Sequence, residues 1–368
     1  MVFAKKLQNH FDVAIIGGGV IGGLTAFYLR NQGLKIALLD KNSKLSNEAS
    51  RAGGGIISPL HPWRYSQEML NLASWSHERF PKLVKQLASL SGIDIPLMQT
   101  GMLVPNLDEA DAALKCSFLK SKVLSRDKVY DLEPGLACSQ DSVFVEGVRN
   151  IRNPALCKAL SIALHRKGVE LKTHYCVQSL KKKNNHFVIS SQNETINANK
   201  VIIAAGAWSS DLLKMCAPEL ESVMPEIFPI KGQMLAIKAR LGVLRTVILE
   251  QNRYLIPRHD GIVIVGSTVE DQGFDKITTN DARQELLEFA YAMLPALKTY
   301  PVVSHWAGLR PGSHRDKPYI CAVEQLEGLY LNIGHFRNGL LSAPASAQVM
   351  TDILLDQDSE FELDAYAF

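Results

Sequence analysis

The chain has 368 residues, 46% of them hydrophobic and 21% charged, with 40 basic against 37 acidic side chains and a net charge of +3. That is the balance of a soluble globular protein, long enough for two domains or for one large domain with an inserted piece, and it points to neither nucleic acid nor an anionic membrane as a partner. Six scattered cysteines with no C-x-x-C pair argue against a cysteine-held metal and for a reducing compartment, read as the cytoplasm.

Met1 to His10 read as a loose terminus. Val13 to Ile16 then form a short apolar run of buried-strand length. Gly17, Gly19 and Gly22 follow at the G-x-G-x-x-G spacing, and Val20, Ile21, Leu24, Phe27 and Tyr28 carry helical periodicity up to Gly33. Ile36 to Leu39 is a second apolar run, closed by Asp40. Strand, glycine turn, helix, strand and acid therefore occur in the order that a dinucleotide requires. Gly17 permits the tight turn, Gly19 lets a pyrophosphate approach the backbone, and Gly22 lets the helix pack close to the strand. The helix N-terminus offers N–H donors and a positive dipole end. Asp40 would accept hydrogen bonds from an adenosine ribose. Val13 to Leu29 after two lysines also has the look of a signal or membrane segment, but its glycines and the lack of a cleavage-type segment after it speak against that.

Ala49 to Leu60 is small and glycine-rich, suited to close backbone approach to something flat. Gln67 to Leu90 reads as a helix split or kinked at Pro81. From Ile95 the texture changes. Leu97 to Val104 reads as a strand or bent pair, Asp108 to Lys122 as a helix, Asp131 to Gly135 as a turn and Phe144 to Asn150 as extended chain. Asn153 and Pro154 open a helix to Arg166, and Val169 to Thr173 is a strand. Lys181 to Asn185 reads as a charged hairpin tip rather than an anion patch. Lys200 to Gly206 is another buried strand, running into Trp208 and a short helix. From Pro225 the chain is β-rich, with strands at 234–237, 246–249, 254–257 and 262–268. A helix follows over 279–297, then extended chain over 302–306. The last block holds Gly308 to Gly312, a strand over 329–333, Gly334 to Gly339, and a helix from about Pro344 to Leu355, with Pro344 in its first turn.

The expected fold class is α/β, α+β in the second domain. A Rossmann-type domain of discontinuous segments (10–94, 146–224, 305–368) would carry the dinucleotide. A β-rich substrate-binding domain with flanking helices (95–145, 225–304) would complete it.

The motifs together resemble the D-amino acid oxidase-like superfamily of FAD-dependent oxidoreductases, and within it most closely the glycine oxidase family of thiamine (thiazole) biosynthesis. The resemblance runs almost end to end. It rests on Gly17-x-Gly19-x-x-Gly22, Ala49 to Pro59, Thr100 to Leu103, Leu132 to Pro134, Val201 to Ser209, Ile230-Lys-Gly-Gln233, Tyr254-Leu-Ile-Pro-Arg258, Trp306 to Gly312, Lys317 to Ile320, and Gly334-His-Phe-Arg-Asn-Gly339. It implies FAD, held non-covalently, since Gly308 to Cys321 lacks the cysteine tether of monomeric sarcosine oxidase. Gly17, Gly19, Val20, Ile21, Gly22, Asp40 and Lys41 would hold its pyrophosphate and adenosine side, with Val177 near the adenine. Ser50, Ala52, Gly53, Gly54, Gly55 and Ile56 would lie against the flavin. Ala205, Gly206 and Trp208, and Gly334, His335, Arg337, Asn338, Gly339 and Leu340, would close around it.

The resemblance also implies oxidative deamination of glycine and other small amines or amino acids. A hydride would pass from substrate Cα to flavin N5, giving an imine, glyoxylate after hydrolysis, and hydrogen peroxide from molecular oxygen. Arg310 matches the carboxylate-binding arginine, a guanidinium fork suited to two parallel charge-assisted bonds. Tyr254 matches a tyrosine near the carboxylate, and Arg337 matches an arginine near the substrate, with an interdomain ion pair as its other reading. Asn252 stands where that family has histidine, and Val269 where relatives place an apolar pocket residue. His61, His305, His314 and His335 are given no catalytic role. No metal site is expected. A D-amino acid or sarcosine oxidase, a dehydrogenase, and a non-catalytic flavin-binding subunit stay open, as does a homo-oligomer.

Overall fold

The computed structural model describes residues 9–105, 107–137 and 140–368. Met1 to Gln8 of the expected loose terminus therefore lie outside the described residues. Two eight-stranded sheets carry the fold. In the first, His10–Ile16 runs between two parallel neighbours, Ile36–Leu39 and Thr195–Ile203. Glu170–Lys172 extends it parallel beyond Ile36–Leu39, and Leu329–Ile333 pairs parallel with Thr195–Ile203. A parallel sheet is buried on both faces at its centre, which is why Val13 to Ile16, Ile36–Leu39 and Val201 to Ile203 are apolar. Alternation divides them: Val13 and Ile15 join one core, Ala14 and Ile16 the other. Helices Val20–Asn31, Gln67–Ser91, Asn153–Arg166 and Gly339–Leu355 pack on one another over the first of these faces.

The second sheet has the order 302–312, 228–238, 262–266, 253–257, 247–250, 102–104, 142–145, 121–124. It is antiparallel except where Val247–Glu250 meets Met102–Val104. Helix Asn280–Met293, capped by the Thr279 side chain on Ala282 N–H, packs against it. A small third sheet joins Ile56–Ile57, Leu97–Gln99 and Arg149–Ile151. No helix among the described residues is long and apolar enough to cross a membrane.

Five expectations are corrected. The boundary at 305 falls inside one continuous strand, Val302–Gly312, which pairs along Phe228–Lys238 in the second sheet. The helix expected over 108–122 is only Ala110–Lys115, because Ser121–Leu124 leaves it to pair with Ser142–Val145. Lys181 to Lys183 lie in an edge strand, where lysines discourage stray pairing, and the hairpin tip is Asn184 and Asn185. Pro81 does not split its helix, which runs unbroken over Gln67–Ser91. The proline leaves the His77 carbonyl without its helical donor, and Arg149 Nη1 donates to that oxygen at 2.8 Å. Likewise the last helix starts at Gly339 and passes through Pro344. There Ser76 Oγ accepts from Ala345 N–H at 3.0 Å, so a neighbouring helix takes up the donor that follows the proline.

Candidate functional site

The first strand ends at Ile16, and the turn begins with Gly17 N–H donating to the Leu39 carbonyl at 2.8 Å. Gly17 has φ +115°, and a Cβ there would meet the Ala204 carbonyl oxygen at 2.2 Å. Helix Val20–Asn31 then starts with Gly19 as an N-cap that has no side chain to offer. Its first-turn donors are left for an anion, apart from Val20 N–H, which donates to Ser50 Oγ at 2.8 Å.

Two cavities, of about 1200 and 1120 Å³ including the space at their mouths, adjoin at this turn. They share Gly19, Ala49, Ser50, Ala204 and Gly206. The second is lined by Gly17, Asp40, Lys41, Val177, Ala205 and Trp208. The first is lined by Val20, Ile21, Ala52 to Ile56, Gly334, His335, Arg337 to Leu340, Tyr254 and Arg310. Of the residues expected to hold the cofactor, Gly22 alone lines neither. It acts by packing, since a Cβ on it would stand 2.0 Å from the Gly17 carbonyl oxygen.

At the far end Asp40 is 9% exposed, and burial raises its pKa. Gly18 N–H donates to Oδ2 at 2.9 Å and Asn42 N–H to Oδ1 at 2.8 Å. Each oxygen keeps acceptor capacity for a hydroxyl. Beside it, Lys41 Nζ lies 3.2 Å from the centre of the Trp208 ring, which stacks on Phe274.

At the near end Arg310 is half-buried. Its Nη1 donates to the Lys231 and Thr268 carbonyls, both at 3.3 Å, and Nη2 donates to Ser267 Oγ at 2.6 Å. No carboxylate lies in ion-pair range of it among the described residues. Burial pulls its pKa below the arginine norm, Tyr254 pulls it back up, and Arg337 adds to the lowering. Tyr254 is buried, its hydroxyl 3.9 Å from Met234 Sδ. Arg337 also has no ion pair among the described residues; its guanidinium lies 5.8 Å from the Phe336 ring.

Sequence reasoning missed several lining residues. Asn153 was legible only as a helix start. Its Nδ2 donates to the Ser50 carbonyl at 2.8 Å, while its buried Oδ1 has no partner. Asn332 Oδ1 is a second such acceptor on the same cavity. Gly232 lies in a strand interior, itself a signal of close approach. A Cβ there would meet the Arg310 guanidinium at 2.2 Å. Arg258, buried, donates to the Gly54 carbonyl at 2.6 Å and so braces the glycine loop. Val269 is 52% exposed and outside both cavities, so the apolar pocket role expected of it is not met.

A flavin dinucleotide fits this set. The turn is closed to any Cβ, the helix start offers anion donors, Asp40 offers acceptors to hydroxyls, and two orphaned carbonyl oxygens await donors. Cys321 is buried and outside both cavities, its thiol pushed up to about 12 by burial, so it supplies no tether.

His335 lines the cavity, and its Nε2 pairs with Ser346 Oγ at 3.0 Å. Burial lowers its pKa from 6.5 to about 3. The unfolded chain therefore takes up a proton first. Stability is full above pH 6.5 and falls as the pH drops towards 3, by on the order of 3 kcal/mol at pH 4. In His335→Gln, urea midpoints should fall less steeply over that window; a slope equal to the parent's assigns the acid lability to other groups.

A family profile described as FAD dependent oxidoreductase matches residues 12–353. The glycine oxidase of Pseudomonas putida is 40% identical over 362 residues, 97% of this chain and 98% of that protein. That of Pseudomonas aeruginosa is 38% identical over 96% and 98%. Among solved structures, glycine oxidase from Geobacillus kaustophilus superposes with a TM-score of 0.91 at 26% identity, covering 98% of each chain.

Proposed function

The chain belongs to the FAD-dependent oxidoreductase family and is an FAD-dependent amino acid oxidase, and we propose that glycine is its substrate, oxidised to an imine that water hydrolyses to glyoxylate and ammonia. The observation that carries this is Arg310: a guanidinium on the cavity wall beside Tyr254, oriented by three acceptors and without a carboxylate in ion-pair range among the described residues. A small substrate carboxylate supplies that missing anion.

Bound FAD would supply the redox step, taking the hydride of substrate Cα at N5 and passing the electron pair to molecular oxygen as hydrogen peroxide. The protein supplies position. Arg310 holds the carboxylate in its fork, the Tyr254 hydroxyl donates alongside, and Arg337 adds positive potential at the same mouth. The backbone of Gly53 to Gly55, braced by Arg258, forms a side-chain-free wall. Asn153 and Asn332 offer acceptors to cofactor N–H and O–H groups. An amine that binds deprotonated requires no side-chain base, and none is assigned. We assign cofactor binding to the first sheet with its helices and substrate recognition to the second, both meeting at the strand Val302–Gly312. The free thiols of Cys116, Cys157, Cys176 and Cys321 suit a reducing compartment, and the cytoplasm is the one proposed.

The test is anaerobic. Glycine, sarcosine and D-alanine are added separately to the yellow protein. Bleaching by glycine, followed by peroxide on re-aeration, is expected. Bleaching by sarcosine or D-alanine but not glycine moves the substrate assignment. Bleaching without peroxide makes the protein a dehydrogenase, and no bleaching by any of the three defeats the proposal.

A further inference from the structure

Strand Phe228–Lys238 has two faces. Gly232 and Met234 line the cavity. Lys231 and Gln233 alternate with them on the other face, and both are buried, Lys231 at 1% exposed. A buried lysine is costly unless it is paired, and an apolar side chain would fill the same space more cheaply. What these two side chains hold is the segment 267–279.

The segment leaves the sheet after Gly266 and runs back along the strand. Lys231 and Glu270 exchange both backbone hydrogen bonds, at 2.9 and 3.0 Å. Lys231 Nζ then reaches Asp275 Oδ2 at 3.1 Å and Glu270 Oε2 at 3.6 Å. The Gln233 side chain donates to Glu270 Oε1 at 3.0 Å and accepts from Thr279 N–H at 2.9 Å. Gln233 N–H donates to Thr268 Oγ1 at 2.8 Å. The start, middle and end of the segment are thus tied to two residues on the same face of one strand.

The same segment orients Arg310. Two of the three acceptors on its guanidinium, Ser267 Oγ and the Thr268 carbonyl, belong to it, and the third is the carbonyl of Lys231. Gly232, between the two anchoring residues, leaves the guanidinium room to lie on the backbone. We propose that Lys231 and Gln233 are positioning residues for Arg310, holding the 267–279 segment so that its acceptors aim the guanidinium fork into the cavity. The proposal rests on Arg310 being the carboxylate ligand. It deepens that reading by naming what fixes the geometry of the fork from behind the sheet.

The test uses the FAD-loaded enzyme with acetate as a carboxylate probe, its binding followed by perturbation of the flavin spectrum. Lys231→Met should raise the acetate dissociation constant and the KM for glycine about tenfold, with kcat within about threefold, because a misaimed fork weakens carboxylate capture first. The FAD dissociation constant should stay at the parent value. Lys231→Arg should recover most of the acetate affinity. Glu270→Gln, which keeps the shape and removes one partner of Lys231, should move acetate binding in the same direction and serves if Lys231→Met does not fold. Acetate affinity unchanged in both Lys231→Met and Glu270→Gln, while Arg310→Ala loses it, overturns the positioning role alone. Acetate affinity unchanged in Arg310→Ala overturns the carboxylate reading with it. Loss of FAD in parallel with acetate would show a structural role and also overturn the proposal.

Discussion

Arg310→Ala should raise the KM for glycine at least about thirtyfold, because truncating one partner of a desolvated charge pair costs about 2–5 kcal/mol. The guanidinium is oriented before substrate arrives, by Ser267 Oγ and the carbonyls of Lys231 and Thr268. The contacts that hold it do not exhaust those it offers: the three bonds, from Nη1 and Nη2, engage at most three of its five N–H groups. Removing it leaves the incoming carboxylate with Tyr254 and Arg337 only. Arg310→Lys should fall between the parent and alanine, since a point charge keeps attraction but cannot make two parallel bonds. Steady-state kinetics with glycine, beside flavin content per chain, separate this from loss of cofactor. A KM within twofold of the parent in Arg310→Ala would remove Arg310 from the site.

The contrast between the two ends of the site shows what a sequence can and cannot disclose. The cofactor end is local chemistry. Gly17, Gly19, Gly22 and Asp40 fall within one strand-turn-helix-strand unit, so spacing alone carries the argument, and both cavities adjoin at that turn. The substrate end is assembled from distant segments. Arg310, Tyr254 and Arg337 are legible through motif resemblance, but not as neighbours. Ser267 and Asn153 carry no sequence signal of their roles, because those roles depend on which partner the fold supplies, and Gly232 signals only a close approach, not what approaches. The prolines make the same point. Pro81 reads as a split or kink and Pro344 as a helix start because a proline lacks a donor. The fold keeps both inside helices, where Arg149 and Ser76 serve the interrupted backbone groups. Neither partner is near in sequence. The limit drawn at 305 falls inside a strand for a related reason: Val302–Gly312 pairs along Phe228–Lys238 on both sides of that position, with no change of composition to mark it.

Gly22→Ala should yield protein that folds but purifies largely colourless, with FAD affinity lowered by two orders of magnitude or more. The added Cβ would stand 2.0 Å from the Gly17 carbonyl oxygen and 3.2 Å from Ile15 Cγ2. The first obstacle is backbone, which cannot turn aside as a side-chain end can. Either the helix backs away from the strand or the turn distorts, and overpacking of that kind costs about 1–3 kcal/mol. The fold can absorb that, since the helix also packs on Gly339–Leu355 and Asn153–Arg166. The cofactor cannot, because the N–H groups of the turn must all point at one pyrophosphate. Two neighbouring glycines supply the controls. A Cβ on Gly23 would have as its nearest neighbours the side chains of Leu160, at 2.8 Å, and Leu164, so Gly23→Ala should keep its colour at a modest loss of stability. Gly33 faces open space but has φ +89°, so Gly33→Ala should cost about 1 kcal/mol of strain and leave FAD affinity alone. Flavin titration of the three apoproteins orders them. Equal affinities would mean that the close approach of Gly22 to Gly17 is not what shapes the phosphate cradle.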